Sequence, residues 1–274
     1  MSRIGFLVAA ILLCFSATAC LANGRYEELA AEYESTGFDA QDATTLRGGS
    51  VHLARPPAKS TQAHRALQEY LDFYGYEYRH ALRAGQVFVR DGTGIFVVHG
   101  DAALATESRA SGAHVVVLHG YIEHSGRNTR YFNDLLAAGH SYLAIDLRGH
   151  GLSQGPRADI DSFETYVSDL SQVLELSAVA LDTNAFRDGS QIIVGHSTGG
   201  AVAMDWALTH ELAGLGLVSP LVRNHLWHLS RATFVLAGWL LPAVPNRGST
   251  SRSEAHRLFA NRIDPLGTRG VPTS

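Results

Sequence analysis

The sequence predicts an α/β protein built on a mostly parallel sheet with helices on both faces. Three observations point there. From Ala113 onward, short apolar runs alternate with amphipathic helical patterns. The apolar runs in "HVVVLHG", "SYLAIDLRGHG", "SQIIVGHS" and "LAGLGLVSP" carry no alternating polar residues, as expected of strands buried on both sides. Each run then ends in a turn rich in glycine and polar residues, at the carboxyl edge where open parallel sheets gather their ligands. The chain of 274 residues is long enough for one large domain of this class with an insertion, or for two small ones.

The elements can be justified in order. Arg3 precedes the apolar run from Ile4 to Phe15, and "SATAC" follows, so residues 1–20 read as a secretory leader too short to span a bilayer comfortably. The small residues before Cys20 resemble a bacterial lipobox, which implies membrane attachment through a lipidated Cys20; cleavage after Ala19 or Ala22 is the alternative. Either route predicts an exported protein, periplasmic or anchored as a lipoprotein. Both cysteines, Cys14 and Cys20, lie in this leader, which leaves the mature body no disulfide framework or thiolate metal site. Residues 21–60 are poorly periodic, end in "LARPPAKS", and read as an irregular lead-in.

The core is assigned to residues 61–220. It opens with "TQAHRALQEYLDFYGY", apolar at helical spacing with Thr61 as N-cap. "GQVFVRDGTGIFVVHG" is a hairpin pattern turning at Asp91-Gly92-Thr93-Gly94. "RYFNDLLAAGH" is a short helix ending at Gly139, and "DSFETYVSDLSQVLELSAVALD" a long one capped by Asp161 or Ser162. After Pro220 the alternation stops, and residues 221–274 read as a partial helical cap over the active edge. No repeat or low-complexity tract interrupts this order.

Charge excludes one class of function. The net charge is −4 and the pI near 6.4. The basic residues are scattered and nearly all arginine, so no basic face for nucleic acid is predicted. No ligand spacing for zinc and no phosphate loop occurs, and neither metal nor cofactor is predicted.

The chemistry concentrates at "QIIVGHSTGG". Gly195-His196-Ser197-Thr198-Gly199 fits G-x-S-x-G between a strand and a helix, the nucleophile elbow. In such a turn, Gly195 and Gly199 stand where a Cβ would not fit, and Ser197 projects its hydroxyl above the sheet. The helix start after it offers free N–H groups and a positive dipole end to a developing oxyanion. The backbone N–H groups of Thr198 and Tyr121, the latter after His119-Gly120, are the candidate oxyanion donors. His119 reads as a buried, loop-shaping histidine.

The segments "VVVLHGYIEHSGRNTRYFNDLLAAGHSYLAIDLRGHGLSQG" and "GHSTGG" resemble the α/β-hydrolase superfamily. Within it the likeness is to the serine aminopeptidase S33 branch, with its monoacylglycerol lipases and bacterial lysophospholipases. The carriers are His119-Gly120, Glu123-His124-Ser125-Gly126, Asp146 through Ser153, and the elbow; the likeness runs from about Leu67 to the carboxyl terminus, including "SPLVR" and the cap segment around "DPL". The resemblance implies an α/β-hydrolase fold with a helical cap and no cofactor. It also implies a Ser-His-Asp triad on Ser197 and a lipid or other small ester substrate. It further implies two more strands after the cap, the first followed by the triad acid and the second by the histidine, both beyond Ser274, so that the last strands are missing here.

Substitutes within the chain are weak. Asp205 and His210 lie well along the helix after the elbow, roughly 12 Å or more from Ser197 at ~1.5 Å rise per residue. His196 is expected to face the interior, and Asp146, Arg148 and His124 to shape loops. His225, His228 and His256 fall in the cap. The reading is therefore a lipid-directed serine ester hydrolase acting through an acyl-enzyme. The alternative is a catalytically incompetent fragment or binding protein. A peptidase of the iminopeptidase kind lacks any visible acidic site for an amino terminus.

Overall fold

The computed structural model describes residues 37–106, 112–187, 189–222, 243–245, 259–267 and 270–272. The leader, both cysteines, His225, His228 and His256 lie outside the described residues. Six strands form one sheet in the order β1-β2-β4-β3-β5-β6. These are β1 (Leu82–Phe88), β2 (Gly94–Gly100), β3 (His114–Leu118), β4 (Ser141–Ile145), β5 (Ile192–His196) and β6 (Gly214–Val218). β2 pairs antiparallel with both β1 and β4, and every pairing from β4 through β3 and β5 to β6 is parallel. The chain has the α/β-hydrolase fold.

The uninterrupted apolar strands are explained by the two clusters they feed. Val115 and Val117 of β3 point to one face, with Tyr142 and Ala144 of β4 and Ile192 and Val194 of β5. Val116 and Leu118, Leu143 and Ile145, and Ile193 point to the other. A strand alternates sides with period two, so a sheet covered twice must be apolar at every position. The first face is covered by α2 (Gln62–Phe73) and, past the one-turn α3 (Ala102–Ala105), by α4 (Thr129–Ala137), the second by α5 (Phe163–Leu181) and α6 (Thr198–Ala207). Thr61 caps α2 by accepting the His64 N–H at 3.2 Å, and Ser162, not Asp161, caps α5.

One expectation is corrected. Residues 21–60 read as irregular, yet the described part contains α1 (Ala40–Arg47), and Phe38, Ala43, Leu46 and Val51 enter the core. A capping box starts this helix: Asp39 accepts from the Gln41 and Asp42 N–H groups while Asp42 accepts from the Asp39 N–H. Its apolar periodicity is too weak to announce it, and packing on α2 stabilises it instead. Of residues 221–274 the described parts include β7 (Ala243–Pro245), antiparallel to β8 (Gly270–Pro272), and one π-helical turn, Phe259–Ile263.

A strand-to-helix elbow and the candidate active site

The sequence places a serine between β5 and α6, and the backbone there is strained. Ser197 has φ 49° and ψ −111°, left-handed territory that a side chain rarely enters. The turn is fastened at both ends. The Ser197 N–H donates to the Val218 carbonyl at 3.0 Å, and the Ser197 carbonyl accepts from Ala201 and from Leu221. Gly195 is required because a Cβ there would run into the Gly199 carbonyl. Ser197 is half-buried, and Thr198 is buried at the first position of α6.

The loop after β3 reaches the same place. β3 and β5 are adjacent, with Leu118 opposite Gly195, so His119 and Ser197 leave neighbouring strand ends. His119 is buried, and its Nε2 accepts the Leu147 N–H at 2.9 Å, which puts the ring proton on Nδ1, 2.7 Å from the Gly120 carbonyl. Burial lowers its pKa and keeps it neutral. This is the loop-shaping histidine the sequence suggested. The Tyr121 hydroxyl donates to the Ala158 carbonyl at 2.5 Å. Among the described residues, the backbone N–H groups of Tyr121 and Thr198 have no hydrogen-bond acceptor.

His196 departs from expectation. Instead of facing the interior it turns toward the loop, with Nδ1 3.0 Å from Glu123 Oε2 and the side chain 36% exposed. The same Oε2 accepts the Gly120 N–H at 3.1 Å. The reason is space plus charge: a Cβ on Gly120 would lie 2.8 Å from His196 Nδ1, so the glycine opens the path to the carboxylate. Burial opposes the Glu123 charge, but the hydrogen bond and charge of His196 outweigh it and hold the carboxyl down to about 2. The Glu123 hydrogen bond in turn raises the His196 imidazole. One ion pair thus ties the elbow to the loop beside it.

The remaining predicted residues are structural. Asp146 is fully buried and accepts the Ser125 N–H at 2.7 Å and the Leu152 N–H at 2.8 Å. Arg148 holds Asp169 with two bonds of 2.8 Å and reaches Asp91 and Thr93 of the β1–β2 turn. His210, just past the end of α6, stacks on Trp206 of its last turn with ring centroids 4.1 Å apart. His124 is buried and bonds Asp264, a partner that sequence reasoning did not find. The only hint was that Asp264 belongs to the "DPL" segment already noted in the resemblance. Among the described residues no three His, Cys, Asp or Glu side chains converge as a metal site.

A family model for serine aminopeptidase, S33 (Hydrolase_4) matches residues 109–263, more than half of the chain. The chain belongs to this hydrolase family. The S33 match takes in the loop after β3 and the elbow and ends at Ile263, one residue before Asp264. Monoacylglycerol lipase of Mycolicibacterium smegmatis is 30% identical over 57% of this chain and 56% of its own length. Monoglyceride lipase of Homo sapiens is 34% identical over 39% of this chain and 35% of its own. The S33 chain therefore spans about half or less of these relatives. Among solved structures, the α/β hydrolase GrgF from Penicillium sp. sh18 superposes with a TM-score of 0.50 at 17% identity. That alignment covers 70% of each chain and is a likeness of fold alone.

Proposed function

We propose that this chain is a serine hydrolase of lipid carboxylic esters, of the monoacylglycerol or lysophospholipid type, working through an acyl-enzyme on Ser197. The observation that carries this reading is the strained serine at φ 49°, followed directly by Thr198 and lying at the end of the strand next to β3, whose loop carries Tyr121; among the described residues neither Thr198 N–H nor Tyr121 N–H has an acceptor. In the proposed reaction the Ser197 hydroxyl oxygen attacks the ester carbonyl and its proton passes to a base. The carbonyl oxygen becomes an oxyanion that the two N–H groups stabilise. Collapse expels the alcohol, which takes up the proton, and leaves an acyl ester on Ser197; water then attacks that ester, the bond to Ser197 breaks, the carboxylic acid leaves and the serine hydroxyl regains its proton. Each N–H of such a pair typically contributes about 3 kcal/mol to the transition state. The lipid class is supported by the similarity to monoacylglycerol lipases, and the apolar stretch "ATFVLAGWLLPAVP" suits an acyl chain.

Among the described residues no histidine is hydrogen-bonded to the Ser197 hydroxyl, and this observation favours a second reading, a binding protein without turnover. A fluorophosphonate probe separates the two. Labelling of Ser197, located by peptide mass spectrometry and lost in Ser197→Ala, supports the hydrolase; a folded sample that stays unlabelled removes it. A panel of monoacylglycerols, lysophospholipids and short-chain esters then ranks substrates. Export with attachment through a lipidated Cys20 remains part of the proposal, and the mass of the mature amino terminus tests it.

A further inference from the structure

The carboxylate of Asp264 is fully buried and saturated with donors. Its Oδ2 lies 3.0 Å from His124 Nε2 and 2.7 Å from Arg127 Nε. Its Oδ1 accepts the Tyr74 hydroxyl at 2.7 Å and the Leu266 N–H at 3.0 Å. Burial opposes the charge, but His124, Arg127 and Tyr74 hold the carboxyl below the usual range. Burial likewise works against the Arg127 charge, and Asp264 more than restores it. A buried ion cluster of this kind is a poor source of stability compared with apolar filling, because desolvation consumes much of the attraction. What directional bonds supply instead is a single geometry.

The geometry that is set belongs to the loop after β3. His124 directly follows Glu123, whose carboxylate holds the Gly120 N–H and His196, and Arg127 follows in the next turn, Ser125–Asn128. The Ser125 N–H between them is held by Asp146. The stretch from Gly120 to Arg127 is therefore pinned at three carboxylates, on Glu123, Asp146 and Asp264. Between these anchors lie Tyr121, tied through its hydroxyl to the Ala158 carbonyl, and Ile122, which carries a positive φ of 58° that local preference alone would not maintain. Of the three carboxylates, only Asp264 arrives from the far end of the chain, 140 positions after His124.

We propose that Asp264 is a positioning residue: through His124 and Arg127 it fixes the path of the loop after β3 and so aims the Tyr121 N–H at the oxyanion site beside Ser197. Docking of the 259–267 segment then becomes a condition for an assembled site. The catalytic half of this inference rests on the hydrolase reading above; the loop-fixing half does not.

The test uses the full chain, wild type against Asp264→Asn and Arg127→Lys, with two readouts. Amide hydrogen exchange by peptide reads the loop directly. Peptides spanning 119–128 should exchange at least ~10-fold faster in Asp264→Asn, with peptides of β5 and α6 unchanged. Fluorophosphonate labelling, resolved into probe affinity and maximal rate, reads the site. The maximal rate should fall about 10- to 100-fold with affinity within about twofold, a partial version of losing one oxyanion donor. Arg127→Lys keeps the charge, loses the fork, and should fall between; it carries the test if Asp264→Asn does not fold. Exchange that rises evenly across the sheet, or a loosened loop with an unchanged maximal rate, overturns the proposal. If wild-type Ser197 does not label at all, the hydrolase reading is what fails, and exchange alone decides whether Asp264 fixes the loop.

Discussion

The backbone N–H of Gly199 donates to the carbonyl of His119 at 3.1 Å, fastening the first turn of α6 to the end of β3. The contact exists only because residue 199 has no side chain. A Cβ there would lie 2.5 Å from the carbonyl oxygens of both Leu118 and His119, which are backbone atoms that cannot swing aside. Gly199→Ala is therefore expected to cost about 3 kcal/mol of unfolding free energy, the upper part of the usual overpacking range. A urea melt against wild type checks it, and an unchanged midpoint would show that the helix can shift without loss.

The strain at Ser197 makes the opposite prediction. Ser197→Gly should raise stability by about 1 kcal/mol, because glycine adopts φ 49° without a Cβ penalty. Ser197→Ala keeps the strain and should melt close to wild type. Both variants lose fluorophosphonate labelling. Thermal melts of the three proteins side by side make the comparison.

The Glu123–His196 pair should leave a signature in pH. The Glu123 carboxyl is held down to about 2 against an ordinary 4.5, so its contribution is complete above pH 4.5 and fades as pH falls toward 2. The His196 imidazole is raised above 6.5, so its contribution is complete below pH 6.5 and fades as pH rises through the raised value. The pair thus favours the window between about 4.5 and 6.5, with a small amplitude because both side chains are about a third exposed. Stability of Glu123→Gln measured from pH 3 to pH 8 should be flatter than wild type. An identical profile would remove the pair from the account.

Buried neutral histidines act in a different window. Burial pushes the His150 imidazole down to about 3 and that of His99 down to about 4. The unfolded chain binds protons there from pH 6.5 downward while the folded one does not. Stability should therefore fall as pH drops from 6.5 toward 3. His99→Gln and His150→Gln, compared with wild type as the pH difference in unfolding free energy between 7 and 4, should each reduce that slope.

Arg148 joins three elements, with its side chain 12% exposed and Asp169 8% exposed. It holds α5 through Asp169 and the β1–β2 turn through Asp91, whose carboxyl the Arg148 hydrogen bond keeps down to about 2. Arg148→Ala leaves Asp169 buried without its partner and should cost about 3 kcal/mol. Arg148→Lys recovers only part, since an amine cannot reproduce the two-pronged contact. Full recovery by lysine in a chemical melt would show that charge alone matters.

Which parts of this were readable in advance follows from the range of the interactions. β3, β4 and β5 were legible because both faces are buried and their central positions are apolar without alternation. The elbow was legible because its glycines, serine and flanking elements are consecutive. α1 was missed although its capping pair, Asp39 and Asp42, is local, because capping without apolar periodicity is a weak signal. His196 was turned the wrong way because its direction depends on Glu123, 73 positions earlier, and on the missing Cβ of Gly120.

By itself, then, the amino-acid order determined the layered architecture, the strand-to-helix bend and the serine within it, since each arises from neighbours along the chain whose periodicity and backbone preference are written locally. Only the tertiary structure decided which carboxylate meets which cation: Glu123 with His196, Asp169 with Arg148, Asp264 with His124 and Arg127. Those partners are brought together by burial of the sheet, and a charge pays no attention to sequence separation once water has been excluded around it.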